Sequence, residues 1–288
     1  MELTAEEKYR YSRHLLLEEV GLQGQEKLKK AKVLVVGAGG LGCPILLYLA
    51  AVGVGTIGVI DFDTIDASNL QRQTLFSTDD LGRSKAKVAK EKLNSNNPFI
   101  EVISYNEQLT NENALDLFSK FDIIVDGTDN FYTRYLVNDA CLIANKPLVY
   151  GAIHKFEGHV SVFNYQEGPT YRCLFPNPPK AGSIPSCSEV GVIGVLPGII
   201  GTQQANEVIK IILGTGKVLS GRLLIYNALQ SSFMEIKINK TVVTIFNKEE
   251  FLKFDYKGYC KVSIDMGKSI TLEELVKLSS DVFVVDVR

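Results

Sequence analysis

Between Lys32 and Asp61 the chain sets two short apolar runs on either side of a glycine-rich turn and a helical period, and that order leaves few folds open. Lys32-Val33-Leu34-Val35-Val36 is apolar and β-branched, the pattern of a parallel strand buried on both faces. It runs into Gly37-Ala38-Gly39-Gly40-Leu41-Gly42, after which Ile45, Leu46, Leu49 and Ala50 recur at helical spacing. Gly37 permits a sharp turn, Gly39 and Gly40 let the backbone approach a phosphate, and the helix start offers unpaired N–H groups. A second strand, Thr56-Ile57-Gly58-Val59-Ile60, closes on Asp61, nineteen residues past Gly42. A carboxylate there is placed to accept hydrogen bonds from ribose hydroxyls. Strand, turn, helix and acid in this order predict a nucleotide site.

The alternation continues. Strands are expected near 33–36, 56–60, 100–104 and 122–126 with helices between them, which implies an α/β fold with a parallel sheet covered on both faces. Ligands bind such sheets outside the carboxyl ends of the strands, where the glycine loop, Asp61 and Asp126-Gly127-Thr128-Asp129-Asn130 all fall. From Pro147 to Tyr165 the pattern changes to neighbouring strands, so antiparallel additions are expected. Gly194 to Leu213 reads as a buried helix and Gly221 to Ile238 as two further strands. Residues 1–30 form a charged helical arm with Arg10 and Arg13 one turn apart. Phe175 to Ser186 holds Pro176, Pro178, Pro179 and Pro185, so it is expected to be extended and mobile, with Cys187 at its exit. Near the end, a capping box at Thr271-Leu272-Glu273-Glu274 and an apolar run from Val282 to Arg288 read as the opening of another domain.

Composition narrows the classes. A net charge of −2 argues against a broad nucleic-acid partner. The acidic, polar start is no targeting signal. Cys43 to Ile60 is uncharged, but Pro44 and three glycines break it, so it parses as helix plus strand and no membrane is expected. Five cysteines without a framework suit a reducing compartment, and a cytoplasmic location is the expectation. No CxxC occurs, and Thr170-Tyr171-Arg172-Cys173 lacks the second thiolate of a zinc knuckle. His14, His154 and His159 show no metal-like spacing and are assigned structural roles.

Several side chains invite a chemical role, each beside a plainer reading. In Ser68-Asn69-Leu70-Gln71-Arg72-Gln73, Arg72 offers a planar fork for phosphate and Asn69 and Gln71 are uncharged donors; the alternative for Arg72 is a surface arginine. Gly82-Arg83-Ser84-Lys85 opens a helix running to about Leu93. Two cations at its positive end suit an anion in front of them, or else Lys85 is one more solvated lysine. Asp129 suits Mg²⁺ on a triphosphate, or caps the helix starting near Phe131. Arg13 by itself is an exposed helical arginine. Cys187 is a nucleophile or a small packed residue, with Lys180 its nearest basic neighbour.

Taken together, Arg10-Tyr11-Ser12-Arg13, Gly24-Gln25, Gly37 to Gly42, Asp61-Phe62-Asp63, Ser68 to Gln73, Lys85, Thr128-Asp129-Asn130 and Ser186-Cys187 resemble the ThiF/MoeB/HesA family, bacterial relatives of ubiquitin-activating enzymes. Val284-Val285-Asp286-Val287-Arg288 resembles the first strand of the rhodanese-like domain that MoeB/MoeZ-type members carry. The resemblance implies an arm over 1–30, a Rossmann-like adenylation domain over 31–240, and a linker with an incomplete rhodanese-like domain over 241–288. It implies ATP-dependent adenylation of the C-terminal glycine of a small ubiquitin-like sulfur carrier ending in Gly-Gly, serving molybdopterin, thiamine or a related pathway. Gly40 would lie under the phosphates, Asp61 on the ribose, and Ser68, Asn69, Leu70, Gln71, Arg72, Lys85, Asp129 and Asn130 around the nucleotide, with Mg²⁺ at Asp129. Arg13 would reach the other subunit's site in a homodimer. Cys187 would receive the acyl group or join a persulfide relay fed by a sulfur-donor protein. Many members bind zinc through two CxxC pairs; this chain departs from that pattern, so no zinc is expected. The rival readings are a nicotinamide-dependent oxidoreductase, which leaves Arg72 and Lys85 unexplained, and a non-catalytic scaffold that binds nucleotide and carrier.

Overall fold

The computed structural model describes residues 2–179, 191–241 and 246–261. The alternating half is β1 (Lys32–Val36), α4 (Gly42–Val52), β2 (Thr56–Ile60), α5 (Lys85–Asn96), β3 (Glu101–Tyr105), α6 (Asn111–Ser119), β4 (Ile123–Asp126), α7 (Phe131–Ala144) and β5 (Leu148–His154). Helices α1 (Ala5–Arg10), α2 (Ser12–Leu15) and α3 (Gly21–Lys30) precede it. Strand β6 (Glu157–Phe163), the short α8 (Tyr171–Leu174), α9 (Val195–Leu213), β7 (Arg222–Asn227) and β8 (Ser232–Lys237) follow, with α10 (Lys248–Lys253) and α11 (Tyr256–Lys261) last.

All eight strands join one sheet in the order β3-β2-β1-β4-β5-β6-β7-β8, parallel through β5 and antiparallel from β5 to β8. The expected α/β sheet with antiparallel additions is what forms. Both faces are covered because side chains alternate along each strand. Val33 and Val35 pack with α4, α5 and α9, whereas Leu34 and Val36 pack with α6 and α7. Helices α10 and α11 join the second of these cores through Phe251 and Tyr256. The uncharged stretch Cys43 to Ile60 is α4 and β2, and no helix among the described residues is long and apolar enough to cross a membrane.

The arm is three helices rather than one, so Arg10 and Arg13 lie in different elements. The break falls at Tyr11, which is buried and takes φ −93°, ψ 14° between α1 and α2. Its hydroxyl accepts a hydrogen bond from Asn97 Nδ2 at 2.8 Å, and the same amide donates to Ala50 O at 2.6 Å. Continuing α1 would carry Tyr11 away from that buried partner. His14 shares a 2.9 Å hydrogen bond with buried Gln25, in keeping with a structural role.

The segments 180–190, 242–245 and 262–288 lie outside the described residues, and with them Cys187, Lys180, the Thr271 capping box and the Val282–Arg288 run. Asn97 ties the arm to α4 and α5, so Asn97→Ala should strand the Tyr11 hydroxyl and cost about 1–3 kcal/mol. Urea denaturation of the variant tests this; an unchanged midpoint would mean that the arm is held by its other contacts, such as Gln25 Nε2 to Val52 O.

Candidate functional site

Strand order reverses between β1 and β4, since β1 connects outward to β2 and β3 whereas β4 continues to β5 on the other side. Open α/β sheets bind ligands in the crevice at such a point, beyond the strand carboxyl ends. A cleft lies there, lined by Gly37, Gly39 and Gly40 from the β1 end, Asp61 and Asp63 from the β2 end, and Thr128, Asp129 and Asn130 from the β4 end. The loop after β3 adds Gln108 and Leu109.

The glycine turn is built from backbone contact. Gly37 has φ +93°, and a Cβ on Gly42 would stand 2.0 Å from the Gly37 carbonyl oxygen, so both positions exclude a side chain. Gly39 and Gly40 are less confined: a Cβ on Gly40 would meet Pro197 at 3.2 Å and Arg72 Cδ at 3.6 Å. The N-cap residue of α4, Leu41, makes no side-chain capping bond. Asp61 Oδ2 accepts from Ala38 N at 2.7 Å and Oδ1 from Asp63 N at 2.8 Å, so this carboxylate also braces the turn. Burial raises the Asp61 pKa, opposed by the Ala38 N–H and the Lys85 charge.

Two cations face this floor. Arg72 Nη1 donates to Ser68 O at 3.1 Å, and the backbone N–H groups of Arg72 and Gln73 both bond to Asn69 O. Lys85 opens α5 with its side chain only 6% exposed and its Nζ 3.0 Å from Asp63 Oδ2. The solvated-lysine reading therefore fails. Arg83 does not share the anion role proposed for this helix start: its guanidinium pairs with Asp80 at 3.3 Å and Glu91 at 2.6 Å.

At the β4 end the capping reading goes to the neighbour, because Asn130 Oδ1 accepts from Thr133 N at 2.9 Å. Asp129 is exposed, and its carboxylate has no hydrogen-bond or ion-pair partner among the described residues. One free carboxylate on a rigid loop is a donor set that fits Mg²⁺ carried in on a triphosphate, which needs only one or two protein oxygens. No group of three or more His, Cys, Asp or Glu forms a metal site among the described residues.

Of the residues singled out in the sequence, Gly40, Asp61, Arg72, Lys85, Asp129 and Asn130 line the cleft together. Ser68, Asn69, Leu70 and Gln71 do not line it. Ser68 Oγ donates to Asp66 Oδ1, Leu70 packs on the core, and Gln71 lies against Gly194. A 3₁₀ turn at Ala67–Asn69 leaves these residues to act through their backbone, aiming Arg72 and Gln73. Arg13 is exposed on α2 and does not line the cleft of its own chain. Sequence reasoning missed Gln108, Leu109, Tyr132 and Arg134. The last stands four residues after Asn130 in a helical pattern, where a cation at the helix start was the only available signal.

The ThiF family model matches residues 11–243 of the chain. A sulfur carrier protein adenylyltransferase of Thermus thermophilus is 51% identical over 83% of this chain and 90% of its own length. The probable adenylyltransferase/sulfurtransferase MoeZ of Mycobacterium tuberculosis is 48% identical over 95% of this chain and 71% of its own. The crystal structure of E. coli MccB with ATP superposes with a TM-score of 0.72 at 25% identity, covering 83% of this chain and 74% of that one.

The turn ahead of α5 holds Lys85 in register, and buried Asp80 holds the turn. Its carboxylate accepts from Ser77 N, Ser77 Oγ, Arg83 and Lys92. Burial pushes its pKa up, but these partners prevail and bring it to about 2. The native state therefore binds fewer protons there than the unfolded chain between about pH 2 and the ordinary carboxylate value of about 4. The stability advantage of the wild type over Asp80→Asn should be full above about pH 5 and shrink as the pH falls through 4 toward 2. Denaturation curves at stepped pH read this directly, and a pH-independent difference would contradict it.

Proposed function

The chain belongs to the ThiF family, and from that premise we propose that it adenylates the C-terminal glycine of a small ubiquitin-like sulfur carrier at the expense of ATP. The observation that supports this most is the meeting, at one cleft, of a glycine floor, Asp61, the cations Arg72 and Lys85, and an Asp129 that is unpaired among the described residues. A nicotinamide oxidoreductase would leave the two cations and Asp129 without work.

The chemistry follows from charge. The carrier's terminal carboxylate is already ionised at neutral pH, so no general base is required. One of its oxygens bonds to the α-phosphorus of ATP while the bond to the bridging oxygen breaks, giving acyl adenylate and pyrophosphate. Alignment of two anions and neutralisation of charge on the phosphates are what the site must supply. Arg72 brings a fork suited to phosphate oxygens. Lys85 is held by Asp63 yet keeps further N–H donors free for a phosphate, since an ammonium carries three. Asp61 orients the ribose and Gly40 lets the phosphates lie on the backbone. Asp129 would hold Mg²⁺, which when bound offsets phosphate charge.

Partner, assembly and sulfur chemistry complete the reading. Two chains form a homodimer in which Arg13 enters the partner's cleft, which gives an exposed arginine on the arm a purpose. Cys187, outside the described residues, takes the activated acyl group or relays persulfide sulfur from a donor protein. The product serves cofactor biosynthesis in the cytoplasm; molybdopterin is the route named for a Porphyra purpurea relative 48% identical over 98% of this chain, a probable molybdopterin-synthase adenylyltransferase.

Carrier-dependent exchange of labelled pyrophosphate into ATP is the test, and no exchange with any Gly-Gly-ended carrier would sink the enzyme reading. Asp129→Asn should lower the exchange about 10²-fold or more, because a weakened Mg²⁺ site leaves the charge on the reacting phosphates less neutralised. Cys187→Ala should keep exchange and lose sulfur transfer; loss of both would place the thiol in folding. Arg13→Ala and Lys85→Ala should each be inactive alone. Mixed and re-equilibrated, they should regain about a quarter of the sites, because half of the two-fold dimers then contain one complete cleft. No regain on mixing would remove Arg13 from the partner's site.

A further inference from the structure

Two buried charges stand beneath the cleft without meeting. Asp126 ends β4 and is 1% exposed; its Oδ1 accepts from Thr128 N at 2.9 Å and Thr128 Oγ1 at 2.7 Å, while Oδ2 is buried with no hydrogen-bond partner among the described residues. Arg134, 8% exposed, donates from Nη2 to Thr128 O at 3.2 Å, while its Nε is buried with no hydrogen-bond partner among the described residues. No carboxylate among the described residues forms an ion pair with it. The rings of Phe131 and Tyr150 hold the guanidinium instead, each centroid 5.6 Å from its central carbon.

An arrangement chosen for stability alone would close these two groups into an ion pair or replace them with apolar side chains. Here both converge on one residue. Thr128 is gripped at its N–H and hydroxyl by Asp126 and at its carbonyl by Arg134. Gly127 N is fixed to Val36 O at 2.8 Å on one side, and Asn130 caps α7 on the other. Asp129 stands between two anchored residues with its own carboxylate unengaged among the described residues. We infer that Asp126 and Arg134 are positioning residues for the adenylation site, acting through Thr128 to aim the Asp129 carboxylate at the metal ion of the nucleotide. The inference rests on the metal role given above to Asp129.

ATP binding to the full chain, measured by calorimetry without carrier and with or without Mg²⁺, separates the two ideas. Wild type should gain affinity on adding Mg²⁺, and Asp129→Asn should lose that gain. Arg134→Lys, which keeps the charge but not the fork, and Thr128→Val, which keeps the shape but not the hydroxyl, should each lower the gain about tenfold or more, as removal of an outer-shell support does. Thr128→Val removes one hydrogen bond from buried Asp126, so its melting temperature should fall, but at a temperature where the variant is folded the Mg²⁺ gain should fall more than the metal-free ATP affinity. A gain undiminished in both variants overturns the positioning role. So does an equal loss of metal-free affinity, which would make Arg134 a nucleotide ligand. A gain retained by Asp129→Asn overturns the metal assignment itself, whatever the other two variants do.

Discussion

The cleft depends on one close approach of backbone to backbone. The Gly37 carbonyl lies where a Cβ on Gly42 would be 2.0 Å away and one on Gly127 3.1 Å away, so the ends of β1 and β4 and the start of α4 meet with no side chain between them. Any residue larger than glycine at position 42 would push α4 off the sheet. That packing matters because β1 and β4 diverge there, one toward β2 and the other toward β5. A narrow seam at a point of divergence yields an open crevice immediately above it, lined from the β4 end by Thr128, Asp129 and Asn130 and from farther along the chain by Asp61, Arg72 and Lys85.

Charge in the crevice is arranged so that few groups are left to solvent. Asp61 is braced by two backbone N–H groups, Lys85 by Asp63, and Asp126 and Arg134 by Thr128. Fixed dipoles and charges of this kind need no reorganisation when substrate charge develops, which is where electrostatic catalysis gains most. Asp129 differs, since its carboxylate has no hydrogen-bond or ion-pair partner among the described residues. A site poised for a polyanion must present some charges already neutralised and at least one donor left over for the counter-ion that arrives with it.

Much of this was legible in the sequence because it follows from period and spacing. Strict apolar runs with glycine or acid at their ends are local features, and β1, β2 and β4 with Asp61 and Asp129 could be read from them. What stayed hidden depends on contacts distant in sequence. Nothing near Tyr11 announces that Asn97 will bend the arm there, and nothing near Arg83 says that Asp80 and Glu91 will claim it. Asn69 and Gln71 read as side-chain donors, yet a 3₁₀ turn directs Arg72 and Gln73 inward and leaves Ser68 and Asn69 to work through their carbonyls. Arg134 was lost in a helical pattern because burial of a cation has no sequence signature of its own.

Helix α7 reaches beyond the cleft. Its first turns supply Asn130 and Arg134, while Tyr135, the next residue, donates to Phe175 O at 3.0 Å, where the proline-rich segment leading toward Cys187 begins. A turn further on, Asp139 is buried and accepts from Asn138, from Arg172 through two bonds of 2.8 and 2.7 Å, and from Tyr256 on α11. Buried ion pairs contribute little net stability against an apolar replacement, so such a saturated carboxylate is better understood as a fixture of geometry. One helix therefore joins the β4 edge of the cleft, through Asn130 and Arg134, to the start of the Phe175 segment, through Tyr135.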